Sequence, residues 1–332
     1  MIVAFDGICL GDGPITGVGR AFLNGLTAYA RAGYADCILL VPPNVAAPSI
    51  PGVRCELAPR GAIRRQLRLP SLLQRLRADV LHSSVASIPR WTRCRTFATV
   101  HDLPWMHPEV GEPVHSFRHF MLSRLLRHAT AIITPSLLTA MDTRAWLGRR
   151  TPPLAVIPHG TALGPAPTAA STAARHGPLL VLGDDRPRKN RDRVREAHAL
   201  ARQQCPTLPD LRFLGPPHDY VDEPEKERLL RSCRAVVHCS LFEGFGMPVL
   251  EGMAQGAPVL CSDLAPHQEI TNGAALFADP RNSHDIAHGL CTIHTDEALR
   301  WRLAQAGHQR AAQKTCEAVA AEWSAGHRGE WS

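Results

Sequence analysis

Short apolar runs alternate with longer stretches of helical period along most of the chain. In the first half, runs at 1–5, 36–41, 79–82, 96–100, 130–134 and 153–157 predict strands, with helices predicted between them at 18–31, 62–77, 114–127 and 136–146. Unbroken apolar runs bounded by helical segments are the mark of strands buried on both faces, so the pattern predicts βαβ crossovers and a parallel sheet. The period vanishes over 160–178, GTALGPAPTAASTAARHGP, a stretch of small residues and proline that reads as an interdomain linker. It then restarts: strand 179–182, helix 189–204, strand 211–214, helix 223–232, strand 235–239, helix 248–255, strand 257–260, a short strand at 274–277, and helices at 283–293 and 296–312. A chain of 332 residues suits two domains. The expected organisation is a first lobe at 1–160, a linker at 161–178, a second lobe at 179–312 and a tail at 313–332 packing back towards the first lobe. Two doubly wound α/β lobes in tandem would place a ligand in a cleft between them, outside the carboxyl ends of the strands.

Composition narrows the classes. A hydrophobic content of 45% and charged content of 20% are those of an ordinary globular chain. No apolar run reaches the length of a membrane span, and the start, MIVAFDG, reads as a buried strand rather than a signal peptide. A cytoplasmic protein is the expectation. Ten cysteines are scattered without a C-x-x-C pair or zinc spacing, which predicts reduced thiols and no metal site. The net charge of +7 is uneven: residues 1–155 carry 18 Arg against 9 Asp and Glu. In segment 60–77, Arg60, Arg64, Arg65, Arg68, Arg75 and Arg77 interleave with Ile63, Leu67, Leu72, Leu73 and Leu76, a basic amphipathic surface suited to anionic lipid. Pro70 argues against one unbroken helix there. Aromatic residues make up 5% of the chain, and no aromatic-interleaved basic motif suggests nucleic-acid binding.

The most informative stretch is Ser240 to Ser262, SLFEGFGMPVLEGMAQGAPVLCS. A strand ends near Ser240, a glycine-rich turn follows at Glu243-Gly244-Phe245-Gly246, and Pro248 occupies the first helical turn, where proline is tolerated. The N–H groups of Met247, Val249 and Leu250 are then expected at an exposed helix N-terminus, an anion site suited to a diphosphate. Glu243 in the turn and Glu251 one turn into the helix would meet hydroxyls of a sugar and a ribose. Arg188 and Lys189, after another strand, supply two cations that can neutralise a bound diphosphate. The chain has only three lysines, Lys189, Lys226 and Lys314, against 34 arginines, so a lysine at this position is informative. Lys226 and Lys314 read as surface charge.

The stretch Glu243–Val259 matches, nearly residue for residue, the E-G-F-G-[LM]-P-x-L-E-x-M-A-x-G-x-P-V hallmark of the retaining glycosyltransferase family 4, which it resembles. Gly17-Val18-Gly19-Arg20 resembles the family's N-terminal glycine loop. His101-Asp102-Leu103-Pro104, Pro135-Ser136, Val156–Gly160, Gly183–Asn190 and His267-Gln268-Glu269-Ile270 resemble further family segments in the same order. Gly252, Cys239 and the acids Asp184-Asp185 depart from the usual pattern.

The resemblance implies a GT-B fold and a metal-independent hexosyltransferase acting on a GDP- or UDP-linked sugar, with no further cofactor. Mannose is a candidate hexose, and the expected acceptor is a saccharide or lipid-linked saccharide of bacterial envelope polysaccharide synthesis. It implies catalytic roles for Glu243, His101, Lys189 and Arg188. Donor binding would fall to Gly17, Gly19, Gly183, Arg188, Lys189, Glu243, Gly244, Phe245, Gly246, Met247, Val249, Leu250 and Glu251. Peripheral contact of the basic first lobe with the inner face of the cell membrane is a further expectation. The alternatives are a non-catalytic partner subunit and another GT-B enzyme such as a sugar-nucleotide epimerase.

Overall fold

A computed structural model describes every residue except Asp12, Pro14, Pro217, His218 and Ser332. In chain order the elements begin β1 (Ile2–Asp6), α1 (Gly17–Arg31), β2 (Asp36–Val41), β3 (Val53–Leu57), α2 (Ala62–Arg75), β4 (Val80–Ser83), β5 (Arg95–Thr99), α3 (Ser116–Leu126), β6 (Ala131–Thr134), α4 (Leu137–Leu147) and β7 (Leu154–Val156). They continue with α5 (Ala169–Ala173), β8 (Leu179–Leu182), α6 (Arg191–Gln204), β9 (Leu211–Leu214), α7 (Glu223–Ser232), β10 (Ala235–His238), α8 (Met247–Ala254), β11 (Val259–Ser262), α9 (Ala265–Thr271), β12 (Leu276–Ala278), α10 (Ser283–Thr295), α11 (Glu297–Ala311) and α12 (Cys316–Arg328).

The chain divides into two compact units. The first takes Met1–Met106, Pro113–Gly160 and Cys316–Ser332, and the second takes His107–Glu112 and Thr161–Thr315. The first is built on a seven-stranded sheet in the order β3-β2-β1-β4-β5-β6-β7, the second on a five-stranded sheet in the order β12-β11-β10-β8-β9. Every strand pairing in both is parallel. Each unit therefore has the doubly wound form that the alternating pattern predicts. Strands such as Leu179–Leu182 are buried on both faces, which is why they read as unbroken apolar runs.

Five elements depart from the periodic reading: β3, α2, α5, α9 and α12. β3, sequence VRCEL, is an edge strand with Arg54 and Glu56 in it, half exposed and paired on one side only with β2. α2 runs through Pro70 as one helix, contrary to the break expected there. Its Leu69, Leu72 and Leu73, with Leu76 just beyond, sink into a core with Ile38, Leu40 and Leu81. Burial of several leucines at ~1.5–3 kcal/mol each outweighs the ~3 kcal/mol cost of an internal proline. The segment's apolar residues thus divide, because Ile63 and Leu67 remain 76% and 70% exposed. The segment 161–178 is built into the second unit rather than left as a free tether. Thr168 and Ser171 form a capping box on α5, Gly164 N–H donates to the Ala254 carbonyl, and buried Arg175 donates to the carbonyls of Leu230, Cys233 and Gln255. Finally, α9 and α12 are helices that the sequence pattern left unassigned. Trp323 of α12 packs in one core with Phe5, Phe22 and Tyr29, so close to α1 that a Cβ on Gly25 would lie 2.5 Å from its ring. No helix among the described residues is long and apolar enough to cross a membrane.

Candidate active site

In the second unit, β8 and β10 are neighbours, and the loops leaving their carboxyl ends carry the candidate residues. After β8 the chain passes Gly183 in a left-handed conformation (φ 129°) that favours glycine. It then makes a single 3-10 turn over Pro187–Lys189. Asn190, also left-handed, separates this turn from α6. Its side-chain amide donates to the carbonyls of Cys239 and Pro280, fastening the turn to the ends of the adjoining segments. Arg188 and Lys189 therefore both stand in the turn before α6, and Lys189 is not the first residue of the helix, as the period suggested.

After β10, Glu243 is buried in the turn before α8 and gathers these cations. Lys189 Nζ donates to Glu243 Oε1 at 2.7 Å, and Arg188 Nη1 lies 3.9 Å from Oε2. His238, the last residue of β10, meets Oε1 through its Nε2 at 3.0 Å. A carboxylate oxygen only accepts, so this nitrogen carries the proton. Arg188 also donates to the Phe242 carbonyl and lies 3.5 Å from Glu112. Burial alone would raise the Glu243 carboxyl, but Lys189, His238 and Arg188 hold it well below the usual carboxylate range. The group is a fixed anion inside a cationic ring.

α8 is capped by Gly246, whose φ of 108° excludes most side chains and whose Cβ position would fall 2.8 Å from the His267 ring. His267 Nδ1 bonds the Ser262 carbonyl, and burial pushes this imidazole down to about 4. The helix end corrects one expectation. The N–H groups of Val249 and Leu250 both close onto the Gly246 carbonyl, at 3.0 and 3.2 Å, so neither points outward. Pro248 has no N–H, which leaves Met247 as the donor of the first turn at this end. The ring of Phe245 packs in the unit's core with Leu250 and Met253, so any ligand contact from this residue must come from its backbone.

Glu251 does not join Glu243. Its Oε1 accepts from Lys226 Nζ at 2.8 Å, and Lys226, only 7% exposed, also reaches Glu223 at 3.0 Å. The reading of Lys226 as surface charge is thus overturned: α7 lies over α8 and buries it. Asp184 is taken up by Arg186 through three hydrogen bonds, which limits its pull on Lys189. Gly252, which looked like a small loss of helix propensity, lets α8 approach β10, since a Cβ there would stand 2.9 Å from Val236 Cγ2.

Three candidates lie in the first unit. Gly17 and Gly19 form the first turn of α1, where the Gly19 N–H is already taken by the Thr16 hydroxyl at 3.2 Å. His101 follows β5, and its Nε2 donates to the Ser84 carbonyl at 2.7 Å. Its Nδ1 must then accept from His159 Nε2, 3.2 Å away. Burial lowers both imidazoles, His159 to about 3. His101 is thus a neutral ring with both nitrogens engaged. Sequence reasoning missed His238, Glu112 and Lys226, and gave His267 no role beyond its place in a family-like segment. The rarity of lysine was the available signal for Lys226, and nothing in local spacing marked His238 or Glu112. No group of three or more His, Cys, Asp or Glu among the described residues is arranged to hold a metal ion.

Residues 17–163 match the model described as Glycosyltransferase Family 4, and residues 217–310 match that described as Glycosyl transferases group 1. A segment of 93 residues is 38% identical to O-antigen chain mannosyltransferase B of Escherichia coli, covering 28% of this chain and 23% of that protein. The match therefore spans less than a quarter of that relative. Among solved structures, sucrose-phosphate synthase from Thermosynechococcus elongatus aligns with a TM-score of 0.80 at 17% identity, over 99% of this chain and 98% of the other. Anabaena Alr3699/HepE in complex with UDP-glucose aligns at 0.72 and 17% identity over the whole of both chains. These likenesses establish the GT-B fold.

Proposed function

The chain belongs to glycosyltransferase family 4, and from that premise we propose that it moves a hexose from a nucleotide-diphosphate sugar to a saccharide or lipid-linked saccharide acceptor of a bacterial envelope polysaccharide. Transfer proceeds with retention of anomeric configuration and without a metal ion. The observation that carries the reading is the buried Lys189–Glu243–Arg188 cluster beside the N-terminus of α8. A diphosphate seated there draws on Lys189, Arg188 and the Met247 N–H as its negative charge develops during departure. Glu243, held ionised, accepts hydrogen bonds from sugar hydroxyls and cannot act as a proton donor near neutral pH. No nucleophile from the protein is needed if the departing diphosphate takes the acceptor's proton on the same face.

Mannose is the favoured hexose, in keeping with the Escherichia coli mannosyltransferase to which part of the chain is similar, and this favours a GDP-linked donor. The UDP-glucose complex of a structural neighbour keeps UDP in the panel of nucleotides to test. Exposed Ile63 and Leu67 alternate with Arg64 and Arg68 on α2 and support peripheral contact with anionic lipid. Flotation with liposomes tests it, and equal recovery with and without anionic lipid removes it.

The experiment for the donor is a thermal-shift panel of UDP, GDP, ADP and their sugars in EDTA. Stabilisation by one nucleotide class, abolished in Lys189→Ala, upholds the reading. Absence of any shift supports a non-catalytic partner subunit instead. Stabilisation that requires added metal overturns metal independence.

A further inference from the structure

The two glutamates of the Glu243–Glu251 pair are each met by a lysine, and these are two of only three lysines in a chain with 34 arginines. Lys189 holds Glu243 and Lys226 holds Glu251, at 2.7 and 2.8 Å. The second pair joins two helices. Lys226 is the fourth residue of α7, where its N–H closes the first turn onto the capping residue Asp222, and Glu251 stands in the middle of α8. Lys226 is 7% exposed and the Glu251 side chain 11%. Two features set this pair apart from an ordinary tie between helices. A neighbouring link, from Arg231 of α7 to Gln255 just past the end of α8, already ties these helices together. The ammonium also takes only Oε1 of Glu251, while Oε2 accepts no hydrogen bond from the described residues.

We propose that Lys226 is a positioning residue for donor binding: it fixes the Glu251 carboxylate so that Oε2 is presented to the ribose hydroxyls of the nucleotide. The inference rests on the donor-site reading above and deepens it. An ammonium is a point charge that can hold one oxygen and leave the other open, whereas a guanidinium presents a fork that matches both oxygens of a carboxylate. That difference gives a reason for lysine at a position where this chain, which uses arginine almost everywhere, would otherwise carry arginine. Glu223, 3.0 Å from the same ammonium, completes the cation's surroundings and keeps its charge from resting on Glu251 alone.

The test compares, by calorimetry, the nucleoside diphosphate that wild-type protein binds with its 2′,3′-dideoxy counterpart, which lacks the ribose hydroxyls. Wild type is expected to prefer the ribonucleotide by about tenfold or more, the scale for hydrogen bonds to a charged group. Lys226→Met is expected to reduce that preference to within about threefold of unity, and Lys226→Arg to lose most of it, because the fork engages both oxygens. Lys189→Ala serves as the contrast: it should weaken both ligands alike, since it acts on the phosphates. A wild-type preference in both Lys226 variants, or in Lys226→Arg if the methionine variant does not fold, overturns the proposal and leaves Lys226 a helix tie. If wild-type protein binds no nucleoside diphosphate, or binds both forms equally, the donor-site reading of Glu251 itself fails and this inference falls with it.

Discussion

The first unit holds two pairs of neutral histidines, one fully buried and one half-buried, along with the buried ion pair of Arg65 and Asp6, whereas in the second unit both glutamates of the candidate site are held by cations. His82 meets His327 at 3.0 Å, His327 meets the Tyr29 hydroxyl at 3.1 Å, and His101 meets His159 at 3.2 Å. Aromatic rings surround the first of these pairs, with Phe5, Phe97 and Trp323 all close by. In the second unit Glu243 is paired with Lys189 and Arg188, and Glu251 with Lys226. Neutral pairs cost little to bury and serve to fix strand ends and helices. Buried ions are costly unless paired, so removing one partner leaves a strongly unfavourable charge behind. Ions held this way are consistent with a ligand that brings charge, and the neutral histidines with a scaffold.

That contrast can be broken from either side. The largest effect is expected from Trp323→Ala, which empties the aromatic cluster at a cost of ~3–5 kcal/mol. The melting temperature should fall by many degrees, and an unchanged melt would mean that α12 does not complete the first unit's core. Next come Glu243→Ala and Lys189→Ala, each expected to cut transfer by at least about a hundredfold while the fold persists. Near-normal turnover in a folded variant would remove the ion cluster from catalysis. A graded effect follows from pH. Burial pushes His82 and His159 down to about 3, against 6.5 for an ordinary histidine. Unfolded chains bind protons below about pH 6.5 while the native histidines stay neutral, so stability is complete above that pH and declines as pH falls towards 3. His159→Gln should flatten the slope of melting temperature between pH 6.5 and 4, and an unaltered slope would place its origin in other groups. The smallest change is Gly252→Ala. Crowding against Val236 at ~1–3 kcal/mol should exceed the ~1 kcal/mol gain in helix propensity, so the variant should melt slightly below wild type rather than above it.

Much of this was legible in the chain because the relevant signals are local. Strands buried on both faces announce themselves as unbroken apolar runs. The Glu243-to-Glu251 stretch declares a turn, a helix start and two acids within a few residues. The rest depends on sheet order. Lys189 meets Glu243 because β8 lies beside β10, and His238 joins them as the last residue of β10. No local period encodes that neighbourhood. Lys226 was misread for the same reason, since a helix-surface lysine becomes buried only once α7 is laid against α8. β3 went unseen because an edge strand needs few apolar residues, and α2 defied its proline because the core it fills lies in other parts of the sequence.

The placement of α12 has a consequence for how the protein is made. Val319, Ala320 and Trp323 share a core with residues of β1 and α1, although about 300 residues of chain separate them. A ribosome working from the N-terminus has therefore released the whole of Thr161–Thr315 before it supplies the helix that seals the first unit. The later-born unit can close while the earlier one still waits with an open apolar wall. In the nascent chain, that wall is the surface a chaperone would meet.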